Sequence, residues 1–297
     1  MSTTTPTTAS ALPQQRPEEG GPPVLVGADG SDCGLRAVRW AAEEAARRGA
    51  PLRIVHASSN LGRRGVAGAS APELPQARGI TAQAYTVARH TAPTVAASTD
   101  VVGGDPVTAL LRAAEDAQLV VLGISTTGAA DEMVLASVAQ KVAARSPRPV
   151  VVVPRQRGAA GGTRPHVAVL GLGDPGDDEP VAVFAAQEAM RSGMPLTVLH
   201  SKDGAGWTAD ADAWTERFPD LRASHQRLAH ATGGGVLAAA CPTPLLSLSV
   251  GHGGLLHRPL DGLHRWLMRH CTSTMAFLPS VHRMTGRESR EEVGAVG

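Results

Sequence analysis

Two glycine-containing segments carry the residue types in this chain that could bind a ligand. The first, Gly27–Ser31, places a carboxylate and a hydroxyl directly after a short apolar run. The second begins at Gly123, which also follows an apolar run. If both runs are strands of one open parallel sheet, the two segments meet at the carboxyl ends of the strands, where such sheets bind ligands. An alternative interpretation is that Asp29, Gly30 and Ser31 only form a turn and cap the next helix.

The other polar residues give little support for catalysis or metal binding. Residues 123–127 follow a predicted strand, but a nucleophile elbow would need glycine at position 127, which is threonine. The sequence contains no HExxH motif. His56 and His200 each end an apolar run, which indicates a structural or pocket-lining role. We interpret five further histidines as solvated or capping residues: His252, His257, His264, His270 and His282.

Charge and cysteine content exclude several classes of function. Lys and Arg total 28 against 27 for Asp and Glu, so the chain has no electrostatic basis for binding nucleic acid or an acidic membrane. The three cysteines are an odd number without CxxC spacing, which argues against a disulfide framework and a cysteine zinc site and fits a reducing cytosol. No apolar run approaches the roughly 18 residues of a membrane helix. We therefore predict a cytoplasmic protein.

The stretch 23–57 predicts a strand, a helix and a second strand. The strands are the apolar runs Val24–Gly27 and Leu52–Ala57. The helix between them starts near Ser31 and ends at Gly49. Two apolar runs joined through a helix favour parallel neighbours in one sheet.

The same alternation continues to residue 154. Helices are predicted at Gln76–Ala96, from Pro106, and at Met133–Arg145, and strands at Thr99–Val102, Leu119–Leu122 and Val150–Val153. Strands that alternate with helices in this way predict an α/β fold, with a parallel sheet covered by helices on both faces.

A second copy of this pattern follows at an offset of 144 residues. Trp40 and Phe184 differ by 184 − 40 = 144, and the same offset relates Gly49 to Gly193. A repeat of this length indicates two copies of one domain. In the second copy we predict strands at His166–Leu170, Leu196–His200, Leu221–Leu228, Leu245–Val250 and Thr274–Leu278, and helices at Val181–Met190, Trp207–Phe218, Val236–Ala240 and Leu260–His270.

These patterns divide the chain into five parts. Residues 1–21 are rich in Thr, Ser and Pro and are predicted to be a disordered tail. Residues 22–155 form the first domain and residues 165–280 a second, more degenerate one. The Gly-rich segment 156–164 between them is a flexible linker by composition. Residues 281–297 are predicted to be a charged tail.

The first copy resembles a universal stress protein domain. The resemblance lies in VLVGADGS, VVGGDPVTALLRAAEDAQLVVLG and LASVAQKVAARSPRPVVVVP, and it extends over residues 23–155. Residues 166–280 are similar but more decayed, so the chain resembles a tandem universal stress protein. The resemblance implies two similar domains, each an open five-stranded parallel sheet flanked by helices, of the Rossmann-like, adenine nucleotide alpha hydrolase-like type. It also implies that the two domains pair with each other, usually through their last strands.

The resemblance also implies where a nucleotide would bind. In ATP-binding members an aspartate faces the phosphate and metal region, and a Gly-x2-Gly-x9-Gly-(Ser/Thr) loop surrounds the phosphates. The matching residues here are Asp29, which would hold Mg²⁺, and Gly123, Thr126, Ala136 and Ser137. Thr126 and Ala136 replace two glycines, and threonine costs about 1–2 kcal/mol if position 126 needs a positive φ. Weak ATP binding could survive these changes, whereas tight binding is not expected.

The second copy departs further from the ATP-binding pattern. The offset places Gly173 where Asp29 stands in the first copy. Residues 251–254 keep the Gly-x2-Gly spacing, but Asp261-Gly262 occupies the final Gly-Ser position. An aspartate beside phosphates would repel them. We expect the second copy to be structural or to bind a ligand other than ATP.

The residues and the resemblance together leave two functions open. The first is a cytosolic stress-response protein that acts as a regulatory or interaction module, with a degraded nucleotide site and a protein partner that the sequence does not name. The alternative is an ATP-binding sensor, in which ATP and Mg²⁺ in the first domain control partner binding. Slow ATP hydrolysis ranks last, because no base or nucleophile is evident, so an enzyme is not expected. Two chains could also form a homodimer through Val150–Val153.

Overall fold

A computed structural model describes most of both halves of the chain. The described residues are 21–58, 73–124, 130–155, 166–171, 178–200, 216–230, 232–241, 243–250 and 260–279. Apart from Gly21, the predicted tails and the predicted linker lie outside these segments, and so does most of the predicted helix Trp207–Phe218.

Ten strands and seven helices are present in the described segments, and they alternate as predicted over most of the chain. The strands are β1 Val24–Gly27, β2 Leu52–Ser58, β3 Ala97–Gly103, β4 Leu119–Ile124, β5 Val150–Pro154, β6 Val167–Gly171, β7 Leu196–His200, β8 Ala223–Arg227, β9 Leu245–Val250 and β10 Thr274–Pro279. The helices are α1 Asp32–Arg48, α2 Glu73–Thr91, α3 Pro106–Ala114, α4 Ala130–Arg145, α5 Glu179–Ser192, α6 Gly233–Ala240 and α7 Gly262–His270. In α4, side chains are described from Ser137 onward.

One helix ends earlier than its pattern predicts. The pattern extends the second helix to Ala96, whereas α2 ends at Thr91. Pro93 follows closely, and a proline restricts the residue before it to extended conformations, so the helix cannot continue through this point. The remaining residues of the predicted helix lead directly into β3, which starts at Ala97.

All ten strands belong to one sheet, with the order β3-β2-β1-β4-β5-β10-β9-β6-β7-β8. Within each half every strand pair is parallel. The first half has the order 3-2-1-4-5, and the second half repeats it in its own strands as 10-9-6-7-8 read from the junction outward. The predicted α/β fold with parallel sheets is therefore confirmed, and the two halves share one topology.

The halves meet where β5 lies antiparallel to β10. Met275 pairs with Val152, Ala276 with Val151 and Phe277 with Val150. The other edge of β5 pairs with β4. Both edges of β5 are therefore paired within the chain, so a homodimer through Val150–Val153 would have to replace one of these pairings.

Two apolar clusters cover the two faces of the sheet, and each contains residues from both halves. Alternation along the strands produces this division: Val151 faces one cluster and Val150 the other. Helices α1, α2 and α5 cover the first face, and α3, α4, α6 and α7 cover the second. Strands buried on both faces explain why the sequence shows uninterrupted apolar runs instead of alternation.

The first helices of the two halves also touch across the junction through charged side chains. Glu44 of α1 and Glu188 of α5, which stand 188 − 44 = 144 residues apart, both contact Arg48. The Nε of Arg48 donates to Glu44 over 2.5 Å, and its guanidinium lies 5.7 Å from the ring centroid of Phe184. Both carboxylates are buried, with 0% and 6% of their side chains exposed. Sequence patterns identify both positions as a repeat but give no sign of this contact.

Candidate functional site

A cavity of about 150 Å³ lies at the carboxyl ends of β1, β2 and β4 in the first half. This is the point where strand order reverses between β1 and β4, which is where open α/β sheets bind ligands. Strand residues and the start of α1 line it on one side, and α3 and α4 line it on the other. The lining residues are Gly27, Ala28, Asp29, Gly34, Val55, His56, Ala57, Pro106, Leu110, Leu122, Gly123, Val138 and Ala139.

A larger groove of about 360 Å³ lies along β3 and α3. It contains Arg53 and Arg112 together with Asp105 and Asp116, so its charges compensate one another. Hydrogen bonds from the backbone and side chain of Thr108 lower the pKa of Asp105, as expected for a carboxylate that caps α3. The groove lies beside β3 and not at the switch point between β1 and β4, so we take the smaller cavity as the candidate site.

Asp29 is held at the mouth of α1 by its own turn. Its Oδ1 accepts hydrogen bonds from the backbone N–H of Ser31 at 2.9 Å and from the Ser31 hydroxyl at 2.7 Å. The Ser31 hydroxyl in turn accepts from the N–H of Gly34 at 3.0 Å, which makes Ser31 the N-cap of α1. Among the described residues no donor reaches the second oxygen, Oδ2. The turn-and-cap interpretation therefore accounts for one carboxylate oxygen, and the other remains available for a ligand.

Gly123 allows β4 to approach the start of α1 very closely. A Cβ on Gly123 would lie 2.3 Å from the carbonyl oxygen of Cys33 and 2.8 Å from the N of Gly34. Both are backbone atoms, which cannot move aside as a flexible side chain does. Glycine at this position is thus explained by close packing of a strand against a helix, whether or not a phosphate binds beside it.

The remaining predicted site residues are less closely associated with the cavity. Thr126 lies outside the described residues, and so does the side chain of Ala136. Ala136 and Ser137 are the seventh and eighth residues of α4, which begins at Ala130. A helix leaves only its first four N–H groups free, so the N–H groups of these two residues bond within the helix. The half-buried hydroxyl of Ser137, next to the lining residue Val138, is the group that this pair could offer.

His56 and Gly34 contact the Ala28–Asp29 turn, but neither is among the site residues predicted from the sequence. His56, for which the sequence indicates a structural or pocket-lining role, donates from its Nδ1–H to the carbonyl of Ala28 at 2.7 Å, which fixes the ring against the strand end. Gly34 was not predicted at all, although a Cβ there would lie 2.2 Å from Oδ1 of Asp29. A glycine in the first turn of a predicted helix is unfavourable for the helix and was the available signal.

The corresponding edge of the second half carries a closed hydrogen-bond network. Asp261 caps α7 and accepts from the N–H of His264 at 2.9 Å and from its ring Nδ1 at 2.7 Å. The Nε2 of His264 lies 2.9 Å from the carbonyl oxygen of Ser249, whose hydroxyl donates to the buried Asp178 at 2.5 Å. The side-chain hydrogen bond from His264 lowers the pKa of Asp261 to about 2. These polar groups satisfy one another instead of pointing to a ligand.

Several second-copy predictions fall on residues that the structure does not describe. Gly173, residues 251–254, His252, His257 and His282 lie outside the described segments. His264 is buried and its N–H is capped by Asp261, so it is neither the solvated nor the capping residue that we expect from the sequence. The exposed His270 stacks on Trp266 with ring centroids 4.2 Å apart. Across the described segments, no three His, Cys, Asp or Glu side chains come close enough to hold a metal ion. None of the described helices is both long enough and apolar enough to cross a membrane.

Comparisons with known proteins find similarity to universal stress proteins. Residues 22–154 match the model of the family described as "Universal stress protein family". The chain is 28% identical over 211 residues to Universal stress protein Rv2028c of Mycobacterium tuberculosis, covering 68% of this chain and 76% of that protein. It is 26% identical over 213 residues to Universal stress protein Rv2624c of the same organism, covering 67% and 75%.

A solved structure shows the same fold across nearly the whole chain. The crystal structure of a universal stress protein from Archaeoglobus fulgidus superimposes with a TM-score of 0.64 and 14% sequence identity. The match covers 86% of this chain and 96% of the other. At that level of identity the comparison supports the fold and not a particular ligand.

Proposed function

Because residues 22–154 match the universal stress protein family, we propose that the chain acts as a regulatory or interaction module and not as an enzyme. In this proposal the first half retains the cleft at the switch point in a degraded form and does not bind ATP tightly. The chain would act through a protein partner. The three cysteines, all free thiols, support a cytosolic location for this module.

The volume of the cavity and the charge of its lining support the proposal. Its volume of about 150 Å³ is below the roughly 300–1,000 Å³ typical of small-molecule sites. Among the described residues that line it there is neither lysine nor arginine, and Asp29 is the one carboxylate in that set. A nucleoside triphosphate carries several negative charges, which a carboxylate repels unless a cation lies between them. Apolar residues make up most of the remaining lining.

The position of α4 supports the same conclusion. Phosphate loops bind through backbone N–H groups that have no other partner, most often at the start of a helix. Ala136 and Ser137, which match the end of the family's phosphate loop, lie beyond the first four residues of α4. Their backbone N–H groups are therefore not free to surround a phosphate.

One observation favours a nucleotide sensor as the second candidate. Oδ2 of Asp29 has no hydrogen-bond partner in the described part of the chain and lies where the family's metal-facing aspartate would be. A hard oxygen ligand of this kind suits Mg²⁺, which prefers carboxylates and phosphate oxygens. With Mg²⁺ bridging Asp29 and the phosphates, the charge repulsion would be removed. In that case ATP would bind in the first half and its occupancy would alter partner binding.

Thermal unfolding of the full chain with and without millimolar MgATP separates the two candidates. A ligand present at a hundred times its Kd stabilises the folded state by about 2.7 kcal/mol, which shifts the melting temperature by several degrees. The interaction module predicts no shift, and isothermal titration calorimetry should show no heat of binding. A shift in the wild-type chain would favour the sensor.

Asp29→Asn tests the origin of any shift more sharply than alanine. Asparagine keeps an oxygen that can accept from Ser31 and removes the charge, so the cap of α1 survives while the metal ligand is weakened. Asp105→Asn, at the N-cap of α3, is the matched control, because it neutralises a capping carboxylate that does not line the cavity. A shift that is lost in Asp29→Asn and kept in Asp105→Asn would contradict the degraded site and establish the sensor.

A further inference from the structure

Two thiols that are remote in sequence lie together in the second half. The Sγ atoms of Cys241 and Cys271 are 3.2 Å apart. Cys271 is 1% exposed, whereas Cys241 is partly exposed. A disulfide bond is about 2.05 Å long, so the two sulfurs need to approach by only about 1 Å to become bonded.

The topology of the sheet brings these cysteines together. Cys241 follows the last residue of α6 and precedes β9, and Cys271 follows the last residue of α7 and precedes β10. Since β9 and β10 are parallel neighbours, the loops that enter them lie side by side. The separation of 271 − 241 = 30 residues matches no recognised motif, so the cysteine spacing alone does not reveal this pair.

Hydrogen bonds favour a thiolate on Cys241 and not on Cys271. The Ser273 hydroxyl donates to the Sγ of Cys241 at 3.3 Å. The hydrogen bond from the Cys271 thiol, and to a smaller extent the hydrogen bonds from Ser273, lower the pKa of Cys241 to about 7. The hydrogen bond between the two thiols raises the pKa of Cys271. Both sulfurs lie at carboxyl ends of helices, where the backbone carbonyls disfavour negative charge. The thiolate of Cys241 is therefore stabilised by the hydrogen bonds and not by the helix.

We propose that Cys241 and Cys271 form a thiol oxidation site for hydroperoxides, in which Cys241 reacts and Cys271 closes an intramolecular disulfide. The Cys241 thiolate attacks one peroxide oxygen, an S–O bond forms, the O–O bond breaks, and the other oxygen leaves as water or an alcohol. Cys271 then attacks the sulfur of the resulting sulfenic acid, the S–S bond forms, and hydroxide leaves with the Cys271 proton as water. Two thiols are oxidised and one peroxide is reduced.

This site is separate from the cavity of the first half and needs no nucleotide. Its product would join the entrances of β9 and β10, and β10 is the strand that pairs with the first half. Thiols of a reductant such as glutathione would reverse the reaction by exchange at the more exposed sulfur, that of Cys241. The pair therefore constitutes a reversible modification site next to the junction of the halves.

The test is oxidation of the reduced full chain with hydrogen peroxide, followed by alkylation of the remaining thiols and peptide mass spectrometry. We expect a linkage between the peptides that contain Cys241 and Cys271, with a mass lower by two hydrogen atoms. Cys33 is the internal control, because it is buried in α1 and accepts a hydrogen bond from Arg36. Its thiol should still be free for alkylation after the peroxide treatment. A Cys33→Ser variant should form the same linkage at the same rate.

Single variants separate the roles of the two thiols. Cys271→Ser should accumulate a sulfenic acid on Cys241 that dimedone traps, and Cys241→Ser should leave Cys271 reduced. Ser273→Ala, which removes one hydrogen bond to the reactive sulfur, should oxidise about fivefold more slowly at neutral pH, the equivalent of roughly 1 kcal/mol. That difference should vanish at alkaline pH, where the thiolate forms without help.

Three results would overturn the proposal. The first is that Cys241 stays fully alkylatable after peroxide treatment of the folded chain. The second is that the linkage forms only between different chains. The third is that Cys33 reacts as fast as Cys241, which would show general thiol oxidation and not a built pair.

Discussion

The carboxylates at the junction give a prediction that can be worked from their surroundings. Burial, and next the negative charge of Glu44, raise the pKa of Glu188 to about 7, against an ordinary value of 4.5. Burial alone would also raise the pKa of Glu44, but Arg48 and Arg47 lower it. Below about pH 7, and above the lowered pKa of Glu44, the pair is therefore mainly one carboxylate and one carboxylic acid that share Arg48.

A raised pKa means that folding is favoured by protonation of Glu188. Between pH 4.5 and about 7 the folded chain holds a proton that the unfolded chain has lost, so stability falls as pH rises through this window. A shift from 4.5 to about 7 is worth about 3 kcal/mol, at 1.36 kcal/mol per unit. No discount for solvent is needed, because 6% of the Glu188 side chain is exposed.

Glu188→Gln mimics the protonated acid at every pH. The amide oxygen can still accept from Arg48 and Arg191, and the amide NH2 can donate to Glu44. We expect the variant to match the wild type near pH 5 and to be more stable by up to about 3 kcal/mol at pH 8. Urea unfolding followed by circular dichroism, repeated across this pH range, measures the difference between the two slopes.

The matched control is Glu179→Gln on the same helix. Glu179 pairs with Arg217 on the surface, with 54% of its side chain exposed, so its removal should change stability by less than about 0.5 kcal/mol at any pH. If Glu188→Gln kept the pH slope of the wild type, or were the less stable protein at pH 8, the reasoning on the shared proton would be refuted.

Two further substitutions test the packing that positions the site and the junction. Gly123→Ala should destabilise the chain by about 2–4 kcal/mol, because the new Cβ would lie 2.3 Å from a backbone atom. The control Gly79→Ala, in an open part of α2, should be neutral or stabilising. Equal changes in the melting temperatures of the two variants would refute the close contact at Gly123. Phe277→Ala removes a ring that is 1% exposed in β10, the strand that pairs with the first half. It should lower the free energy of unfolding by about 3–5 kcal/mol. Urea titration measures this loss, and a cost below about 1 kcal/mol would show that the junction is loosely packed.

Local sequence patterns predicted the elements of this fold well, because strand and helix signals depend on neighbouring residues. The bounds of β1, β7 and β9 match the predicted runs, since each is apolar over most of its length and is bounded by glycine, proline or polar residues. The cap of α5 at Gly193 repeats that of α1 at Gly49, and both adopt a positive φ of about 60°. Errors occurred where a boundary depended on a single residue, as at Pro93.

Contacts between remote residues could not be obtained in the same way. The proximity of Cys241 to Cys271 depends on which strands are neighbours, and no spacing in the sequence encodes it. The same holds for Glu44 and Glu188, whose contact requires the halves to pack at one particular junction. For the candidate site, the sequence correctly placed Asp29 and Gly123 at one edge of the sheet, but it did not show that the turn already uses one oxygen of Asp29.

The antiparallel junction between β5 and β10 determines the directions in which the two switch points open. Since each half is parallel within itself, all strands of the first half run against all strands of the second. The two switch points therefore open at opposite rims of one continuous sheet, and these rims are about the length of a five-residue strand apart along the strand direction, roughly 17 Å. A ligand in the cavity of the first half would therefore approach the sheet from the side opposite to the Asp261–His264 network of the second half.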